Sequence, residues 1–160
     1  MHNGAFQTNY VSASGNHVGA DAFPVSTTVQ NWFLIARLEV VAPRENGAVV
    51  TLGASITDGS RSTADTNSRW PNQLAKRVVK GARPMAVLNL GIAGNRLLSE
   101  AAFQSGRPGL TRFDRDVIAQ TGATDVIVAD MALNDLGTAR ENPAPSAGDL
   151  IAAQEQHIAR

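Results

Sequence analysis

A short apolar run that stops abruptly at a glycine constrains the fold of this sequence more than any other feature. Val49–Leu52 is brief and rich in β-branched residues, and it lies between Gly47 and Gly53, which is typical of a buried strand. Ser55 follows in a Gly-x-Ser-x-Thr-x-Gly loop that ends at Gly59. Open α/β sheets hold their ligand groups at the carboxyl ends of the strands, so Ser55 is expected to lie in a crevice.

The loop around Ser55 matches neither of two better-known serine-containing turns. It lacks the Gly-x-Ser-x-Gly pattern of a strained nucleophile elbow, and it lacks the Gly-Lys-Ser/Thr sequence of a phosphate-binding loop. Taken alone, a serine between a strand and a helix is most often a turn or N-cap residue. A catalytic role for Ser55 therefore depends on what the other strand ends carry.

Composition excludes several classes of protein. The chain has 160 residues, enough for one domain with an adequate core, and its formal net charge of zero provides no basic face for nucleic acid. It contains no cysteine, which excludes disulfides and thiolate chemistry. No apolar run approaches the roughly 20 residues that span a membrane, so no membrane partner is expected. The start, Met1–Gly4, lacks a signal-peptide pattern, which predicts a cytoplasmic protein.

Composition also changes along the chain and predicts two parts, a β-rich segment over residues 1–44 and an α/β domain over residues 45–160. The first part is rich in Gly, Ser, Asn and Thr. It has short strand patterns at residues 10–12 and 25–29 and a stronger one at 32–41. Pro43–Gly47 is a polar break between the two parts.

Strand and helix patterns alternate in the second part. Strands are predicted at residues 49–52, 85–90 and 125–131, and helices at 71–80, 112–120 and from Ser146 onward, where Ser146-x-x-Asp149 resembles a capping box. The residues expected to face inward from the last two helices are Phe113, Val117, Ile118, Leu150, Ile151 and Ile158. This alternation predicts a parallel sheet with right-handed crossovers in a shortened three-layer α/β/α sandwich.

Each predicted strand ends in polar or glycine-rich sequence. Ser55 follows the first strand, Gly91–Arg96 the second and Ala132–Gly137 the third, and parallel topology brings all three to one edge of the sheet. A hydroxyl, a glycine N–H that a ligand can approach and a side-chain amide are the groups needed to attack an ester and to bind its oxyanion.

Three sequence blocks give the chain its resemblance to the SGNH hydrolases, also called the GDSL esterases and lipases. Gly53–Gly59 resembles their Gly-Asp-Ser-x-Thr-x-Gly block, Asn89–Asn95 resembles the block that supplies an oxyanion glycine, here Gly94, and Ala132–Asp135 resembles Gly-x-Asn-Asp. The resemblance implies a flavodoxin-like α/β/α fold and a serine esterase that acts on short acyl or acetyl esters through an acyl-enzyme. It implies Ser55 as nucleophile, and Ser55, Gly94 and Asn134 as oxyanion donors. The small ester is the expected partner, and no cofactor or metal is expected.

Departures from the family pattern bear on activity. Ala54 replaces the aspartate before the nucleophile, removing a carboxylate that could hold the loop, and Ala132 replaces a glycine. The Asp-x-x-His block that carries the general base is absent, which leaves the base unknown. His157 is expected to be a solvated or packing histidine, and His2 and His17 surface residues.

Two hypotheses remain open from the sequence. One is a serine esterase, and the other is a catalytically impaired remnant or a ligand-binding module that keeps the cleft without a base. An open sheet edge at the third strand also predicts a homo-oligomer.

Overall fold

The computed structural model describes residues 2, 4–33, 37–101, 105–137 and 144–160. It separates the chain into two compact units. One consists of Met1–Val41 with Arg61–Ser68, and the other of Ala42–Ser60 with Arg69–Arg160. The domain boundary after residue 44 stays a prediction.

The first unit contains a small antiparallel sheet, in which β1 (Asn9–Ser12) pairs with β2 (Val25–Val29), the two short strands predicted there. The strand predicted over residues 32–41 is wrong. Trp32 forms only an isolated bridge with His2, and residues 37–41 are exposed and have no regular structure. Residues 34–36 lie outside the described residues. Among the described residues, the apolar pattern at 37–41 has no neighbouring strand to satisfy its backbone groups, so it does not form a ladder.

The second unit is built on a parallel sheet, which confirms the predicted fold class. Its strands are β3 (Gly47–Gly53), β4 (Met85–Gly91) and β5 (Ala123–Val128), in the order β4-β3-β5 with β3 at the centre. The register pairs Gly53 with Gly91 and Leu52 with Val128, so all three strands end at nearly the same level. β5 stops before the predicted residue 131 because, past Ala129, the chain turns into a loop.

Helices flank this sheet. They are α1 (Ser55–Asp58), α2 (Trp70–Val78), α3 (Gly109–Phe113), α4 (Leu133–Leu136) and α5 (Ala147–Ile158). α3 begins three residues before the predicted helix start and continues into a π-helical turn over Asp114–Ile118, where the Ala119 N–H donates to the Asp114 carbonyl. The predicted capping box at Ser146 and Asp149 is confirmed. None of the helices in the described ranges is long and apolar enough to cross a bilayer.

The core of the second unit lies on the sheet face covered by α3, the π-helical turn and α5. Its buried apolar residues are Val50, Leu52, Leu97, Phe113, Val117, Met131, Leu150 and Ala153.

The inward face of the last helix differs in part from the prediction. Leu150 is buried as predicted, but Ile151 and Ile158 are 60% and 85% exposed, and the inward prediction for Ile118 is also wrong because its side chain is exposed. The buried stripe of α5 follows Leu150, Ala153 and His157, at spacings of three and four residues. The apolar pattern alone predicts that Ile151 and Ile158 face the core. In the structure Ala153 and His157 face it instead.

Candidate active site

The loop that carries Ser55 leaves the carboxyl end of β3 and turns at once into α1. Ser55 is half-buried. Because it is the first residue of that helix, its N–H has no acceptor within the helix. Gly53 permits the sharp turn, because a Cβ at this position would lie 2.1 Å from Thr57 Oγ1 and 2.3 Å from Asp130 Oδ1. The serine therefore lies at the sheet edge predicted for it, at the end of the central strand.

Asp130 anchors this loop from the segment that follows the neighbouring strand β5. Its carboxylate accepts hydrogen bonds from the N–H of Ala54 (3.0 Å), the N–H of Ile56 (2.8 Å) and the hydroxyl of Thr57 (2.5 Å). The sequence suggested that Ala54 deprives the loop of a stabilising carboxylate. The structure corrects that expectation, because the carboxylate comes from the residue two positions after β5.

The loop after β4 is hydrogen-bonded to the loop after β3. The Ile92 N–H donates to the Gly53 carbonyl (3.2 Å), and the Ala93 N–H donates to Asp58 Oδ2 (2.9 Å). Asp58 is buried beside this contact. These two bonds hold the second loop against the one that carries Ser55.

Gly94 adopts a left-handed conformation in the second loop, with φ +77°. A Cβ there would lie 2.6 Å from Ser105 Oγ, so a side chain would be both strained and crowded. The Asn95 N–H donates to the Ile92 carbonyl. The Gly94 N–H, in contrast, donates to none of the residues that the structure describes. The Gly94 N–H thus stays available as a donor, whereas the N–H groups of Ile92, Ala93 and Asn95 in the same loop donate to protein acceptors.

The loop after β5 is hydrogen-bonded to the loop after β4. Asn134 Nδ2 donates to the Asn95 carbonyl (2.8 Å). The buried Asp135 carboxylate accepts from the N–H groups of Leu97 (2.7 Å) and Leu98 (3.0 Å). All three strand-end loops are therefore mutually hydrogen-bonded, and they bring Ser55, Gly94 and Asn134 to one edge of the sheet.

Ala132 precedes α4 in a conformation that favours glycine. Its φ is +77° and its ψ −14°, in the left-handed region. A Cβ in this region crowds the following carbonyl oxygen and strains the backbone. The alanine at the position of the family's glycine therefore keeps the backbone conformation that a glycine would adopt without strain.

A buried arginine lies beneath the strand ends. Arg112 donates to the carbonyls of Gly53 (3.1 Å) and Leu90 (3.0 Å) and to Asn95 Oδ1 (3.1 Å). It also donates to Asp116 at 3.0 Å, one helical turn along the chain. Arg112 thus joins the ends of β3 and β4 to the second loop.

Charge pairing offsets the burial of this guanidinium. Burial lowers the pKa of Arg112, against the effect of Asp116, but an arginine remains charged at neutral pH. Burial raises the pKa of Asp116, but hydrogen bonds from Arg115 and Arg112 outweigh it and leave that pKa below its ordinary value. The Arg112–Asp116 pair is therefore ionised at neutral pH.

His157, the histidine of the second unit, does not hydrogen-bond to the Ser55 hydroxyl. His157 is buried and stacks on Phe113, with ring centroids 4.7 Å apart, so it is a packing residue as expected. Burial lowers the pKa of His157, as do the positive charges of Arg160 and Arg112, which together outweigh the opposing effect of the Gly109 backbone. No side chain hydrogen-bonds to the Ser55 hydroxyl within the described ranges of the chain.

Five residues of the site were missed by the sequence-based prediction: Asp58, Asn95, Arg112, Asp130 and Asp135. The sequence contains only weak signals of their roles. Asp58, Asn95 and Asp135 lie in the predicted strand-end loops, and Asp130 lies within the predicted strand 125–131. Arg112 is four residues from Asp116, a spacing at which oppositely charged side chains meet on a helix. Among the residues described, no group of three or more His, Asp or Glu is arranged to hold a metal ion.

Comparison with known proteins agrees with this geometry. A family model described as GDSL-like Lipase/Acylhydrolase matches residues 49–158, which is more than half of the chain. The search of curated proteins finds no match. The matched region includes all three strand-end loops and their hydrogen-bonded partners. The chain belongs to the GDSL-like lipase/acylhydrolase family, a family of ester hydrolases.

Proposed function

We propose that this protein hydrolyses short-chain acyl or acetyl esters, with Ser55 as the nucleophile. The Ser55 hydroxyl oxygen attacks the ester carbonyl carbon, and its proton passes to a general base that none of the described side chains supplies. The base returns this proton to the alcohol oxygen as the tetrahedral intermediate collapses to an acyl-enzyme, and a water molecule then releases the acid and restores the serine.

The hydrogen bonding among the three strand-end loops supports this proposal most strongly. Asp130 fixes the first loop, Asp58 joins it to the second, and Asn134 joins the second to the third. Donors that are held in place before reaction stabilise developing negative charge without reorganising, and this stabilisation provides much of the rate enhancement in many acyl-transfer enzymes. Loops that support one another in this way favour catalysis over a turn role for Ser55.

Three donors are available for the oxyanion. The N–H of Ser55 has no acceptor within α1, and the N–H of Gly94 has none among the described residues. Asn134 uses Nδ2 to donate to the Asn95 carbonyl, but an amide nitrogen carries two protons. The second proton is the one that we assign to the oxyanion.

The second candidate function is a catalytically impaired remnant or a ligand-binding module. It is favoured by one observation, that no side chain of the described residues accepts the proton of the Ser55 hydroxyl. Without a base, a serine at neutral pH is a weak nucleophile, although oxyanion donors and binding alone leave a residual rate above that in water.

Hydrolysis of a short aryl ester, such as p-nitrophenyl acetate, separates the two candidates. Ser55→Ala is expected to lower kcat by at least about 10³-fold while the circular dichroism spectrum stays unchanged. Ser60→Ala, at an exposed serine just beyond α1, is the matched control and is expected to keep wild-type turnover. Wild-type protein that binds the ester but turns it over no faster than Ser55→Ala would favour the binding module.

A further inference from the structure

The Asp130 carboxylate contacts the first loop on both sides of Ser55. It accepts hydrogen bonds from the N–H groups of Ala54 and Ile56, the residues directly before and after the serine. The hydroxyl of Thr57, one residue further on, is its third donor. One side chain therefore fixes the backbone on either side of the proposed nucleophile.

The donor set requires a carboxylate. Oδ1 accepts from both the Ala54 N–H and the Thr57 hydroxyl, and Oδ2 accepts from the Ile56 N–H. A carboxylate only accepts, whereas an asparagine offers one oxygen and directs an N–H₂ group at a donor in the place of the other. Replacing Asp130 with asparagine therefore disrupts at least one of the three bonds with little change in side-chain volume.

The surrounding residues leave room for this carboxylate. Ala54 is fully buried and has no polar side chain with which to hold the loop, so its N–H is held from outside. At Gly53 a Cβ would lie 2.3 Å from Asp130 Oδ1, so the absence of a side chain there admits the carboxylate. Gly53, Ala54 and Asp130 together form a cradle for one acidic side chain.

We propose that Asp130 is a positioning residue for Ser55, and that it performs, from the loop after β5, the task for which residue 54 carries no carboxylate. It acts through the loop backbone and does not touch the ester. The proposal rests on the proposed function of Ser55, because positioning matters to chemistry only if this serine reacts. Misplacement of a reacting group by about 1 Å can cost about 10²-fold in rate.

The test compares Asp130→Asn with Asp125→Asn, a change at an exposed aspartate on β5 whose carboxylate accepts a hydrogen bond from the hydroxyl of its neighbour Thr124. For each variant, kcat and KM are measured with p-nitrophenyl acetate, and the rate of labelling by a fluorophosphonate probe is measured as well. Asp130→Asn is expected to lower kcat and the labelling rate by about 10- to 100-fold and to change KM by less than about 3-fold. Asp125→Asn is expected to match the wild type.

A purely structural role would lower the thermal midpoint and leave the labelling rate per folded molecule unchanged, which would overturn the proposal. If Asp130→Asn does not fold, Thr57→Val removes one of the three bonds, and a smaller fall in kcat at constant KM is expected. Wild-type kcat in a folded Thr57→Val protein would then contradict the proposal.

Amide hydrogen exchange keeps this test separate from the proposed function. If the wild type neither labels nor turns over, the function proposed for Ser55 fails, and exchange then decides the anchoring alone. Faster exchange at Ala54 and Ile56 in Asp130→Asn, with other amides unchanged, would uphold the anchoring. Unchanged exchange at both amides would overturn it.

Discussion

The central strand β3 and the edge strand β5 belong to one sheet but lie in opposite environments. Every residue of β3 after Gly47 is buried, and both of its edges pair with other strands. In β5 the four middle residues are exposed, including Val126 and Ile127 at 42% and 38%, and only one edge pairs among the described residues. The loop that carries Ser55 extends from the buried strand, whereas apolar surface is exposed at the edge.

This difference indicates how the two strands divide their tasks. A strand that is buried on both faces and paired on both edges holds its ends still, which suits a loop that must present a reacting atom. The loop after the edge strand provides the anchor Asp130, and the strand itself leaves its outer side available for pairing. Substitutions in both regions test this contrast.

Arg112→Met is expected to cost about 3 kcal/mol or more of unfolding free energy, because it leaves Asp116 and the two strand-end carbonyls of Gly53 and Leu90 without this buried donor. Arg115→Met is the matched control, since Arg115 pairs with the same Asp116 but is 65% exposed. The control is expected to cost less than about 1 kcal/mol. Urea denaturation measures both, and equal losses would remove the special role of the buried arginine.

Asn134→Ala is expected to lower turnover by about 10²-fold, as the loss of one preorganised oxyanion donor does. KM is expected to change far less, because the donor acts mainly on charge that develops in the transition state. Leu136→Ala, at an exposed residue of the same short helix, serves as control. Wild-type turnover in Asn134→Ala would limit Asn134 to its hydrogen bond with the Asn95 carbonyl.

The open edge of β5 is expected to make the chain a dimer or larger assembly at micromolar concentration, measured by light scattering. Ile127→Lys places a charge among the exposed apolar residues of this edge and is expected to shift the assembly towards monomer. Val79→Lys changes an exposed residue at the end of α2 instead and is expected to leave the assembly intact. A wild-type monomer that unfolds cooperatively would show that the edge needs no partner.

Ala132→Gly is expected to stabilise the fold by about 0.5 kcal/mol. Relief of the left-handed strain is worth about 1–2 kcal/mol, and the greater freedom of glycine in the unfolded chain offsets part of that gain. Ala129 directly follows β5, and its N–H donates to the Leu52 carbonyl. Ala129→Gly is expected to lower the free energy of unfolding instead. Thermal unfolding distinguishes the two, and a loss of stability in Ala132→Gly would mean that the alanine methyl contributes packing.

The sequence predicts best the features that depend on local pattern. Apolar runs that end at glycine located β3 and β4, and the Ser146-x-x-Asp149 capping box located the start of α5. Parallel topology then placed Ser55, Gly94 and Asn134 at one edge. It predicts poorly what depends on contacts distant in the chain. Asp130 bonds to a loop more than seventy residues away, so no spacing rule reveals it.

The prediction of which helix residues face inward was wrong in part for a similar reason. Hydrophobicity alone favours Ile151 and Ile158, but α5 buries His157 instead, and its ring stacks on Phe113. The strand predicted over residues 32–41 had the right composition, but residues 37–41 form no ladder. Local pattern thus predicted most elements, and tertiary contacts decided the rest.

Mass spectrometry of the protein after incubation with a fluorophosphonate tests the central claim most directly, namely that the loop after β3 presents a reactive serine. We expect one adduct per chain, mapped by peptide digestion to Ser55, and no adduct in Ser55→Ala. An adduct on another serine, or a folded wild-type protein that remains unlabelled after prolonged incubation, would contradict it.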